Sequence, residues 1–88
     1  MTYAILLHPR AKDSLEKLDH PMRKRVIDQL SRLRGSPEQG KRLKMGGFYS
    51  LRIGDYRAIY EIWRDRRTVV ILLIDHRHNV YEDLDRWI

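Results

Sequence analysis

The segment Phe48-Tyr49-Ser50-Leu51-Arg52-Ile53-Gly54-Asp55-Tyr56-Arg57-Ala58-Ile59-Tyr60-Glu61-Ile62-Trp63 constrains this chain more than any other. Two runs of strand-forming residues meet at Gly54-Asp55, which suits a two-residue hairpin loop because Gly54 supplies positive φ at its first position. The hairpin then sets Ile53 across from Tyr56 and Arg52 across from Arg57. Directly opposed side chains share a face about 5 Å apart at Cβ, so two arginines placed there repel. Two explanations stand for such a pair. An anion, with phosphate the best match to two planar donor forks, relieves the repulsion. Alternatively, a nearby carboxylate such as Glu61 neutralises one arginine and the pair is ordinary surface charge. A three- or four-residue loop would break the pairing.

The rest of the chain falls into elements around this hairpin. Tyr3 to Leu7 reads as a first strand, closed by His8-Pro9, with Pro9 suited to the first helical position. Ala11, Leu15 and Leu18 recur at helical spacing and predict a helix over residues 9–18. Asp19-His20-Pro21 breaks it, and a second helix follows over residues 21–34 with Val26, Ile27, Leu30 and Leu33 as its buried stripe. Arg23, Lys24, Arg25 and Arg32 fall outside that stripe, as a solvated face or an RNA contact. The two stripes pack as a helical hairpin against one face of a sheet. Residues 35–47 form a polar connector ending in Lys41-Arg42-Leu43-Lys44-Met45-Gly46-Gly47, either a loop that follows a phosphate backbone or an exposed soluble loop. After a turn at Arg64-Asp65-Arg66-Arg67, the apolar run from Thr68 to Ile74 is a strand buried on both faces, central to the sheet. Val80, Leu84 and Trp87 sit at helical spacing in an acidic tail, a short final helix or a loosely docked end. The fold class is α+β: an N-terminal strand, a helical hairpin, then a three-stranded antiparallel meander in a mostly antiparallel sheet.

Size and charge narrow the function. The 88 residues make one domain, 1–88, with a single modest core. No run is long enough to cross a membrane, and the first eight residues lack the basic leader and cleavage site of a signal peptide. The absence of cysteine excludes disulfides, thiolate nucleophiles and Cys-ligated zinc. A cytoplasmic location is the expectation. Eighteen Lys and Arg against twelve Asp and Glu give a formal charge of +6, with a pI near 10.0. Nucleic acid, an anionic surface or an acidic protein partner fits such a balance, as does a basic protein with no anionic ligand. From Lys41 to Arg57 there are five basic residues and one acid, so the charge concentrates beside the hairpin.

Candidate chemistry follows the same concentration. His76 and His78 share one side of an extended segment while Asp75 points to the other, and no third ligand completes a metal site. Neither a metal nor a cofactor is expected. Ser50, His76 and an acid make a triad only on paper, with no nucleophile elbow. The remaining set is Arg52, Arg57, Arg77 and Tyr81, with Lys41, Arg42, Lys44, Ser50, His76 and His78 as RNA-contact candidates. Cationic donors stabilise charge developing on a phosphoryl group. Tyr81 can stack on an unpaired base, or act as acid or base if cations lower its pKa, or simply pack at the core edge. RNA carries its own nucleophile, the 2′-OH, so positioning and charge stabilisation alone can cleave it.

Three stretches together resemble the RelE/ParE superfamily of toxin–antitoxin toxins, and its RelE branch in particular, over almost the whole chain. They are Pro9-Arg10-Ala11-Lys12-Asp13-Ser14-Leu15-Glu16-Lys17-Leu18, Leu51-Arg52-Ile53-Gly54-Asp55-Tyr56-Arg57-Ala58-Ile59-Tyr60, and Asp75-His76-Arg77-His78-Asn79-Val80-Tyr81. The resemblance implies a ribosome-dependent endoribonuclease that cuts mRNA in the A site by 2′-OH attack, without metal, leaving a cyclic phosphate. It places Arg57 on the transition-state phosphate, Arg77 on the leaving side, Arg52 beside the nucleophile and Tyr81 on a substrate base. It also implies a cognate antitoxin, a toxin–antitoxin heterotetramer, and covering of the C-terminal segment with Trp87 and Ile88. One position departs: relatives carry a basic residue where this chain has Ser50, so Lys44, His76 or His78 substitutes, or cleavage is slow or absent. Two other classes share the fold or charge. A ParE-like inhibitor of DNA gyrase is one, although such members lack the full Arg and Tyr set and have a longer helical hairpin. A non-catalytic RNA- or protein-binding module is the other.

Overall fold

The computed structural model describes residues 2–44 and 46–76. Arg77, His78, Tyr81 and the tail with Val80, Leu84, Trp87 and Ile88 therefore lie outside the described residues. The elements run β1 (Ala4–Leu7), α1 (Pro9–Glu16), α2 (His20–Ser31), β2 (Lys41–Arg42), β3 (Tyr49–Ile53), β4 (Tyr56–Trp63) and β5 (Thr68–His76). A 3₁₀ turn, Arg32–Arg34, extends α2, and another, Arg64–Arg66, links β4 to β5. The sheet order is β1-β5-β4-β3-β2. β1 pairs parallel with β5, and every other ladder is antiparallel. The α+β class with its helical hairpin and meander is as expected from the sequence, with a short strand, β2, added inside what reads as a connector. Among the described residues no helix is long and apolar enough to cross a membrane.

Local chemistry explains the helix boundaries. His8 and Asp19 cap α1 and α2, accepting from the backbone N–H of Arg10 at 3.1 Å and of Met22 at 2.9 Å. Each helix then carries its proline in the first turn, where a missing N–H costs nothing. α1 stops two residues before the periodicity does because Arg23 closes it. The Arg23 guanidinium, read from sequence as outward, turns in and donates to the carbonyls of Leu15, Glu16 and Leu18 at 3.3, 2.9 and 2.7 Å. A cation at a helix C-terminus satisfies orphan carbonyls and meets the negative end of the dipole. Ile27 departs in the opposite direction: it is 47% exposed, on the rim of an apolar groove of about 110 Å³ between α1, α2 and β1.

The core lies on both faces of the sheet. On the helical face, Ala11, Leu15, Val26, Leu30 and Leu33 pack against Leu51, Ile53, Ala58, Tyr60, Val69, Ile71 and Ile74. On the other face Ile59, Val70, Leu72 and Leu73 form a second cluster, partly covered by Leu43 and Phe48. Strict alternation cannot place both Leu72 and Leu73 there. A bulge does it: Ile59 pairs with Leu73 while its neighbour Tyr60 pairs with Ile71, so Leu72 is the extra residue. The bulge sets the register of everything beyond it on β5, including Asp75 and His76.

Candidate functional site

The β3–β4 hairpin is built as its sequence predicts. Gly54 has φ +61°, Ile53 faces Tyr56 and Arg52 faces Arg57. Asp55 is not among the residues with positive φ, as expected for a loop whose first residue alone is left-handed. Alternation along β3 and β4 puts Leu51, Ile53, Ala58 and Tyr60 under the helices and therefore turns Ser50, Arg52 and Arg57 to the face opposite the helices.

Three ladders converge on that face. Arg57 faces Arg52 on one side and Asp75 of β5 on the other. The carboxylate across from the arginine pair is therefore Asp75 and not Glu61, which pairs with Val70 further along the strand. Asp75 Oδ1 also accepts from the His76 backbone N–H at 2.7 Å. On the outer side β2 sets Lys41 directly across from Ser50, and so on the same face. The half-buried Arg57 donates from Nη1 to Ser50 Oγ at 3.1 Å. Arg52 is exposed and ties its Nε to the Gly54 carbonyl at 3.1 Å. The result is a surface bearing Lys41, Arg52 and Arg57 with one carboxylate at its border.

Other sequence candidates are placed elsewhere. His76 pairs across the ladder with Tyr56 and makes an edge-on ring contact with it, centroids 5.8 Å apart. Tyr56 follows the helical-face alternation, so His76 is on the far side of the sheet from Arg57. Asp75 and His76 do diverge as their spacing predicts, and the histidine is not brought to the arginine pair. Arg42 alternates away from Lys41 and pairs with Tyr49. It lines a separate cleft of about 270 Å³ with Gly47, Tyr49, Ile62 and Arg64, where Arg64 is bound to Glu38 at 2.7 Å. Lys44 is exposed in the bend after β2. Ser50 is 2% exposed and engaged by Arg57, so it is an internal partner and not a surface contact. Among the described residues no group of three or more His, Asp or Glu side chains could hold a metal ion.

Tyr60 organises the edge that carries Lys41. Its hydroxyl donates to the Pro37 carbonyl at 2.8 Å and accepts from the Gly40 N–H at 2.9 Å, while its ring stacks on Tyr49 at 5.3 Å. Burial pushes the phenol pKa above its usual 10.0, with the Gly40 hydrogen bond working against that shift. Gly40 is required by the close approach: a Cβ there would sit 2.7 Å from Tyr60 Oη and 2.8 Å from the Ser50 carbonyl oxygen. Nothing in the strand pattern of β4 distinguishes this tyrosine from a plain core aromatic. Asp75 is equally hidden in the sequence, because its position across from Arg57 depends on the β5 bulge.

A small α+β domain with opposed arginines on the sheet face away from its helices matches known proteins over most of its length. The family model of the ParE toxin of type II toxin–antitoxin systems, parDE, matches residues 5–81. Toxin RelG of Mycobacterium tuberculosis is 33% identical over 85 residues, covering 92% of this chain and 98% of that protein. Among solved structures, the RelBE2 toxin–antitoxin complex of Mycobacterium tuberculosis aligns with a TM-score of 0.79 at 33% identity, over 88% of this chain and 100% of the matched chain. The archaeal RelE–RelB complex of Pyrococcus horikoshii OT3 aligns with a TM-score of 0.76 at 27% identity, over 88% and 97%. The chain belongs to the RelE/ParE superfamily and is a toxin of a type II toxin–antitoxin system.

Proposed function

We propose that this toxin is a ribosome-dependent endoribonuclease that cuts mRNA in the A site. The observation that carries the reading is the ladder placing Arg52 across from Arg57 on the sheet face that the helices leave open. Two arginines on one rung offer two guanidinium forks to the non-bridging oxygens of one phosphodiester, and the repulsion between the like charges falls when the anion binds. In the reaction the substrate's 2′-OH attacks the adjacent phosphorus and passes its proton to water. The P–O5′ bond then breaks, leaving a 2′,3′-cyclic phosphate, and the 5′ oxygen takes up a proton from water on the leaving side. Arg57 stabilises the charge that builds on the phosphoryl oxygens and Arg52 neutralises the nucleophile side. Lys41, across from Ser50, supplies the cation that Ser50 does not. Arg77 at the leaving oxygen and Tyr81 stacked on a base complete the proposed set.

The partner proposed from the same relatives is a cognate antitoxin, since the solved neighbours are toxin–antitoxin complexes. The basic face and the apolar groove beside β1, lined by Ile5, Leu7, Leu15 and the 47% exposed Ile27, suit a partner that is acidic and amphipathic. Removing residues 82–88 weakens antitoxin binding if the tail belongs to that interface, and an unchanged affinity in a titration removes the tail from it.

The test is to add the protein to a translating extract and map mRNA breaks by primer extension. Breaks in the A site that fade with Arg57→Ala and with Tyr81→Phe, and disappear when the scissile nucleotide is 2′-deoxy, support the reading. The match to the ParE model favours one competitor, inhibition of DNA gyrase. Intact mRNA together with loss of supercoiling by gyrase would establish that alternative.

A further inference from the structure

We infer that Ser50 is a positioning residue that holds the Arg57 guanidinium in place for the phosphate, an inference resting on the ribonuclease reading above. Ser50 sits on the open face between two cross-strand neighbours, Lys41 on β2 and the fully buried Ile59 on β4. A hydroxyl that is 2% exposed beside an apolar side chain is costly unless it is bonded. Its partner is Arg57 Nη1 at 3.1 Å. Arg57 is not the residue across from Ser50 but the diagonal one, two positions along β4, a separation of about 7–8 Å at Cα that only a long side chain can bridge. The guanidinium is therefore drawn back along the sheet instead of extending into solvent. One donor of five is spent on Ser50, and a half-buried arginine anchored in this way keeps a defined plane for the rest of its fork.

A lysine at position 50 could not do this, because an ammonium has no acceptor for Arg57. The serine therefore changes the division of labour on this face. The residue beneath the arginine becomes a hydrogen-bond acceptor, and the cation moves across the ladder to Lys41. Orientation fixed before the substrate arrives lowers the barrier without adding a contact to RNA, so its loss appears in kcat and not in KM.

The experiment is single-turnover and steady-state cleavage on programmed ribosomes with Ser50→Ala, Ser50→Thr, Arg57→Ala and the Ser50→Ala/Arg57→Ala pair, alongside NMR of the Arg57 side-chain nitrogens in the free protein. The expected result is a fall in kcat of about tenfold for Ser50→Ala at unchanged KM. Ser50→Thr, which keeps a hydroxyl, recovers most of it. Ser50→Ala adds nothing once Arg57 is gone, the mark of a residue acting through another. In NMR the restricted rotation of the Arg57 guanidinium is released by Ser50→Ala and retained by Ser50→Thr. Cleavage by Ser50→Ala at the parent rate, additive losses in the double variant, or Arg57 signals identical in parent and Ser50→Ala would each overturn the assignment. A parent that cleaves nothing, with Arg57 released in Ser50→Ala, would keep the positioning and remove the ribonuclease.

Discussion

Arg57 stands between a like charge and an opposite one, Arg52 on β3 and Asp75 on β5, with Ser50 beneath it. The first of these neighbours is legible in the sequence, because Gly54-Asp55 fixes a two-residue loop and the loop fixes the register. Asp75 is not, since a local pattern carries no information about a bulge at Leu72. Nor is the burial of Ser50 against Arg57, as a hydroxyl in a strand reads as polar and exposed. Tyr60 belongs to the same class of hidden residue, and its two hydrogen bonds give a stability prediction. Tyr60→Phe leaves the Gly40 N–H and the Pro37 carbonyl without their partner and costs about 1–3 kcal/mol in urea unfolding. The pH dependence has a definite sign. Burial raises the folded-state pKa above 10.0, so the folded chain keeps a proton that the unfolded chain has released. The neutral phenol's contribution is whole below pH 10 and is lost as pH climbs through the raised value. Urea titrations above pH 10 should therefore show a steeper decline for the parent than for Tyr60→Phe, and parallel curves would contradict this.

At the level of elements, the sheet edge and the helix pair are each held by one polar side chain that periodicity does not reveal. β2 is two residues long, yet it decides that Lys41 joins the arginine face while Arg42 goes to the opposite cleft. Its entry depends on Gly40, so Gly40→Ala forces the Tyr60 hydroxyl or the Ser50 backbone to move and destabilises by about 1–3 kcal/mol. Arg23 does comparable work for the helical hairpin. Arg23→Met keeps the aliphatic stem but abandons two carbonyls at the end of α1 and one in the turn after it, for an expected loss of about 1–2 kcal/mol in thermal or urea melts. A charge in a basic cluster on a helix reads as solvated, and only the geometry of the α1–α2 turn shows that this one faces inward. The strands and helices themselves were readable, because β5 is apolar on both faces and the helices carry their caps and prolines in sequence.

On the scale of the whole molecule, the two faces of one sheet are given separate tasks. The helical hairpin covers one and supplies most of the core, while the other keeps a smaller apolar cluster beside a basic surface. A net charge of +6 draws any polyanion toward the protein, and the proposed function puts its binding at the Arg52–Arg57 rung. Binding of a non-cleavable 2′-O-methyl RNA on the ribosome should weaken with salt, and each of Arg52→Ala and Arg57→Ala should flatten the log–log slope by about 0.7. The most direct measurement is single-turnover mRNA cleavage on programmed ribosomes with the parent, Arg52→Ala, Arg57→Ala and the double variant. A rate reduced about a hundredfold or more by Arg57→Ala, and a double variant far less impaired than two independent losses would give, is the predicted result. Cleavage by Arg57→Ala at the parent rate would contradict it.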